Sequence, residues 1–213
     1  FRTPAGRRPW WPRAVGILAR NWGARDASKR AVKTRVGPKS RARPADTPPM
    51  LAKRLFLVPV SAYVVWLLFA YEYHFLDGVN LLFHEGGHVF LAFFGTTMHF
   101  MGGTIGQLFF PIACGLHFLQ ARRFFETWIM GIWLAESLMN VARYLGDAQA
   151  QALPLVGGHI HDWNWLLSRW GLLDHCETIA TGLHLIASAL ALAALTAAAL
   201  STQESDDYEF STP

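Results

Sequence analysis

Cysteine is nearly absent from this chain: Cys114 and Cys176 are the two in 213 residues, and they form neither a disulfide framework nor a metal-ligand spacing. Both fall in or beside apolar runs and read as free, buried thiols. Charge is also scarce, at 16% of residues, and Asp, Glu, Lys and Arg are missing altogether from residues 55–71 and 178–200. Those gaps argue against an ordinary water-soluble domain, because each approaches the roughly 20 residues that a helix needs to cross a bilayer. No internal repeat is present. The first apolar run starts only after residue 54, the wrong layout for a cleaved signal peptide, so it reads as a retained anchor.

What is present is apolar and falls in long blocks. Hydrophobic residues make up 52% of the chain, and between the two uncharged runs lie three further blocks. These are residues 79–94, 104–120 and 124–145, the last with Glu126, Glu136 and Arg143 embedded. The expected fold is an all-α membrane protein, a polytopic helix bundle of about five membrane segments, with four and six as the neighbouring possibilities. Residues 95–106 contain Gly102, Gly103 and Gly106 and read as a short loop or as a re-entrant or strand-like excursion lining a cavity. Lys53 and Arg54 place the start of the first span in the cytoplasm by the positive-inside tendency. Simple alternation would then put Arg122 and Arg123 outside, so the two signals disagree.

The net charge of +4 hides a sharp division. Residues 1–49 hold thirteen Lys and Arg against two Asp, so this arm carries +11 and the remainder −7. Rich in Arg and Pro and without apolar periodicity, the arm is expected to be disordered or draped on a partner. Such charge attracts anionic lipid headgroups or nucleic acid, and for a membrane chain the bilayer is the expected partner. Met50 stands just before the basic pair and the first span, and a working start there would leave residues 1–49 outside the mature protein. The membrane domain is then residues 50–200, followed by an acidic, solvated tail, 201–213.

The segment that carries chemistry is His84-Glu85-Gly86-Gly87-His88, inside the apolar block 79–94. Three ionisable side chains there cost several kcal/mol unless they are paired or coordinate something. Residues four apart share one helix face, so both imidazoles can converge on a single cation while Glu85 reaches the water bound to it. That is the His-Glu-x-x-His arrangement of zinc hydrolases, and a chain of this composition would show it by chance only about once in a hundred sequences. A pair of histidines hydrogen-bonded within a bundle leaves Glu85 unexplained.

A hydrolytic zinc site takes three protein ligands and keeps one position for water. Asp147, which follows Asn140 and Tyr144 at helical spacing, is the leading candidate for the third ligand, with His161 and Asp162 as alternatives. Asn140 is a candidate for orienting substrate or stabilising an oxyanion. His159, His161 and Asp162 form a further polar cluster, followed by Trp163, Trp165 and Trp170 among leucines. That pattern reads as a short interfacial helix.

A His-Glu-x-x-His motif in a membrane segment, then a Gly-rich stretch, another span, and a helix carrying Asn140 and Asp147 resembles the site-2 protease family of intramembrane zinc metalloproteases. The resemblance covers residues 79–148. It implies Zn2+ as cofactor, Glu85 as general base, Asp147 as third ligand, and a membrane-anchored peptide as substrate. The second motif departs from the family pattern, with Arg143 and Tyr144 where a proline is usual and Ala148 where a glycine follows the aspartate. The chain also resembles small bacterial membrane proteins that pair His-Glu-x-Gly-His with a later Leu-Pro-Leu-x-Gly-Gly and His-Asp-Trp, here at residues 153–158 and 161–163. Location in the bacterial inner membrane is the corresponding expectation. A peptide held as an extended strand would pair with backbone near Gly102 and Gly103. The contrasting reading is a non-catalytic, protease-like subunit of a larger membrane assembly, which nine Trp and a basic arm would suit.

Overall fold

The computed structural model describes residues 48–156 and 160–202. Residues 1–47 of the basic arm, Gly157, Gly158, His159 and residues 203–213 of the acidic tail lie outside the described residues. The rest is all-helical: α1 (Pro48–Phe69), α2 (Phe75–Leu91), α3 (Thr96–Gln120), α4 (Phe124–Gly146), α5 (Asp162–Trp170) and α6 (Cys176–Ser201), with two single 3-10 turns between them. Each of the five apolar blocks is a helix. Three stretches, Met50–Phe69, Thr96–Gln120 and Leu173–Ser201, are long and apolar enough to cross a membrane. Cys114 and Cys176 are both free, Cys176 buried and Cys114 half-buried.

The core forms where α1, α4 and α6 meet. Ala187, Ala191, Ala194 and Ala198 recur every three or four residues on one face of α6 and are all fully buried. Such small residues let backbones approach closely, the usual means of helix association in an apolar solvent. Ala187, Ala191 and Ala194 pack with Ile132, Ala135 and Met139 of α4 and with Val64 and Leu67 of α1. A Cβ on Gly131 would meet Ala194 and one on Gly146 would meet Ala180, so α4 and α6 run antiparallel.

Residues 95–106 are not a re-entrant or strand-like excursion: from Thr96 onward they form the first turns of α3. The glycines serve helix packing instead. A Cβ on Gly106 would lie 2.5 Å from the Phe83 carbonyl oxygen, and one on Gly102 would lie 2.6 Å from that of Gly87. Gly102 and Gly106 are spaced as a Gly-x-x-x-Gly pair, and with Gly87 they bring α2 and α3 into backbone contact. Gly95, at φ +98°, makes the turn that joins them.

The conflicting basic pairs lie at one end of the bundle. Lys53 Nζ sits 5.2 Å from the centre of the Phe125 ring, and Arg123 pairs with Glu126 at 2.8 Å. Leu57, Phe125 and Ala198 pack together there. The start of α1, the α3–α4 turn and the finish of α6 therefore share that end. At the other end, the Cys176 thiol donates to the Gly146 carbonyl, and α5 lies beside the finish of α4.

Candidate metal centre

Helix α2 presents His84 and His88 one turn apart, with ring centres 4.8 Å from each other. Each is placed by a neighbour. The His84 ring fills space that a Cβ on Gly103 would occupy, so a larger residue at 103 would push the ring out of this position. His88 Nδ1 donates to the His99 carbonyl at 2.7 Å, and His99 Nδ1 donates back to the His88 carbonyl at 3.1 Å. This reciprocal pair fixes the His88 ring and ties the finish of α2 to the start of α3.

Asp162, the first residue of α5, brings its Oδ2 to 3.1 Å from His84 Nε2 and 3.2 Å from His88 Nε2. Tyr144 supports it from α4: its hydroxyl donates to Asp162 Oδ2 at 3.3 Å and accepts from the Asp162 N–H at 3.2 Å. Burial alone would raise the carboxyl pKa, but hydrogen bonds from His84 and His88 outweigh it and hold the group at about 2. The carboxylate is therefore ionised at neutral pH. Replacing Tyr144 by Phe removes both contacts, and if these groups hold a metal an expected loss of about ten- to hundred-fold in its affinity would be read by competition with a chelator.

Asp147 stands elsewhere. Its two oxygens accept the N–H groups of Ala152 and Leu153 at 2.9 and 3.0 Å, folding the loop after α4. The same carboxylate lies 3.6 Å from His161 Nε2, but burial pushes the His161 imidazole pKa down against the pull of Asp147. His161 caps α5, its Nδ1 accepting from the Asn164 N–H at 3.3 Å, and its ring stacks on Tyr144. The third group brought to the two imidazoles is thus Asp162. Asn140 uses one amide N–H on Asp77 at 2.6 Å, and its oxygen accepts from Gln107 at 2.9 Å. Gly102 and Gly103 lie within a helix and offer no free strand edge.

His84, His88, His99, Tyr144 and Asp162 line one cavity of about 700 Å³, together with Glu85, Asn140, Arg143 and residues 153–156. One oxygen and two imidazole nitrogens from His84, His88 and Asp162 all lie within 4.8 Å of one another. The donor set fits a hydrolytic zinc, whose tetrahedral ligands stand about 3.4 Å apart for bonds near 2.1 Å. The hydrogen-bond pattern fits too. With Nδ1–H committed to the His99 carbonyl, His88 turns Nε2 toward Asp162 Oδ2: as N–H it donates to the carboxylate, and once deprotonated it is the ring nitrogen left to hold a cation.

Sequence reasoning did not find His99, because its part is played through a backbone carbonyl eleven residues from His88. No family model matches this chain, and neither the curated proteins nor the solved structures contain a significant match to it.

Proposed function

We propose that this protein is a membrane-embedded zinc peptidase acting on membrane-anchored peptides. The observation that carries the reading is the meeting of His84, His88 and Asp162, with Glu85 on the next position of the same helix and lining the same cavity. His84, His88 and Asp162 would hold the metal, so the third ligand is read as Asp162 rather than Asp147. When bound, zinc acidifies a water toward a pKa of about 7 and polarises a carbonyl.

The remaining steps belong to the chain. Glu85 takes the proton from the attacking water and delivers it to the leaving amine, which needs one carboxylate facing the cavity in both steps. Tyr144 and His99 keep Asp162 and His88 in register so that neither rotates as charge develops. The loop at residues 153–156, held at Leu153 by Asp147, forms part of the cavity wall.

The shared position of the basic pairs supports a four-crossing arrangement of α1, α3, α4 and α6. In it, α2, at 17 residues, enters the bundle without crossing. Lys53, Arg54, Arg122 and Arg123 then all face one side, as the positive-inside tendency asks.

Metal counting on the purified full chain in detergent tests the site. His84→Ala, His88→Ala and Asp162→Ala are each expected to lower bound zinc by one equivalent per chain, and Asp147→Ala to leave it unchanged. An Asp162→Ala chain that holds as much zinc as wild type would sink the assignment.

A further inference from the structure

Asp77 lines the cavity of the zinc reading, and around it lies a second ionisable cluster that the reading does not use. His74, just before α2, and Asp77, in its first turn, meet Glu136 midway along α4. One potential ligand atom from each lies within 4.8 Å of the others. His74 Nδ1 is 2.6 Å from Asp77 Oδ2, and His74 Nε2 is 4.0 Å from Glu136 Oε1. Asp77 and Glu136 are 1% and 0% exposed.

The hydrogen bonds satisfy all but one oxygen. Asp77 Oδ1 accepts from Tyr71 and from Asn140, and Oδ2 from the His74 N–H. Glu136 Oε2 accepts from Asn80 at 2.8 Å, whereas Oε1, buried and turned toward His74, has no hydrogen-bond partner among the described residues. An unpartnered carboxylate oxygen sealed from water is costly, so something must occupy its lone pairs.

We infer that His74, Asp77 and Glu136 form a second divalent-cation site, separate from His84, His88 and Asp162. One imidazole and two carboxylates suit a first-row cation of the zinc or manganese kind better than calcium, which prefers an all-oxygen shell. The Tyr63 hydroxyl, which bonds His74 Nε2 at 2.7 Å, is the group the cation displaces from that nitrogen. The site does not depend on peptidase activity.

Zinc is the probe. The full chain in detergent is stripped with a chelator, re-equilibrated with zinc, freed of excess by gel filtration and counted by mass spectrometry, with helical content checked by circular dichroism. Wild type is expected to hold two equivalents, His84→Ala one, and Glu136→Gln one. His74→Gln, at a partly exposed position, is a second probe of the same site and should also hold one. Wild-type counts in both Glu136→Gln and His74→Gln would overturn the inference and leave a shared proton between the carboxylates. So would an empty His84→Ala chain, a measurement that needs no change in the second cluster. If His84→Ala keeps the wild-type count while Glu136→Gln loses one, the second site stands and the zinc-peptidase reading fails.

Discussion

Glu85→Gln is expected to lower cleavage of a membrane-anchored peptide by about 10²- to 10⁴-fold while bound zinc stays at the wild-type count. The amide keeps the size and much of the hydrogen bonding of the carboxylate but cannot take a proton from water, so only the acid–base step is removed. Glu85 does not belong to the group formed by His84, His88 and Asp162, which is why metal should survive its loss. The measurement pairs metal analysis with mass spectrometry of products from helical single-span peptides reconstituted beside the enzyme. Equal cleavage by Glu85→Gln and wild type would remove Glu85 from the chemistry. A wild-type chain that holds zinc yet cleaves no such peptide would favour the accessory-subunit reading, which the many exposed aromatics, Phe69, Phe75 and Phe93 among them, would also suit.

The second large effect is structural. A methyl group added at Gly87 would collide with the carbonyl oxygen of Gly102, and at 3.0 Å it would also meet the Gly106 Cα. Both obstacles are backbone, which cannot swing aside as a side-chain tip can. Gly87→Ala must therefore push α2 away from α3, at an expected cost of about 3 kcal/mol or more. Gly86 is the control one residue earlier: a methyl group there would meet nothing within 4 Å. Gly86→Ala should leave stability unchanged or raise it by up to about 1 kcal/mol through helix propensity. Thermal unfolding of the two variants in one detergent makes the comparison, and equal melting temperatures would disprove the close approach. Because Gly87 lies between the two histidines, the displaced variant should also bind zinc poorly.

The helices were legible in the sequence because their apolar blocks are long and their charges few, and the His84–His88 pair was legible because helical spacing alone sets it. Asp162 could be no more than an alternative there. It lies 78 residues from His84 along the chain, and periodicity within one helix says nothing about which distant loop folds onto it. Asp147 had the better helical spacing from Asn140, yet its carboxylate folds the loop at Ala152 and Leu153. The glycines at 102, 103 and 106 misled for a different reason. In water glycine weakens a helix, but against another helix in an apolar setting the missing side chain is the contact itself. The cluster of His74, Asp77 and Glu136 was hidden because two of its members lie near the opening of α2 and the third stands alone among apolar residues of α4.

The gathering of Lys53 and Arg123 beside Phe125 leaves the two ends of the bundle chemically unlike. These cations collect at that end, whereas the carboxylate of Asp162 and the imidazoles of His84 and His88 meet beside the finish of α4, where α5 begins, so one helix spans from the one chemistry to the other.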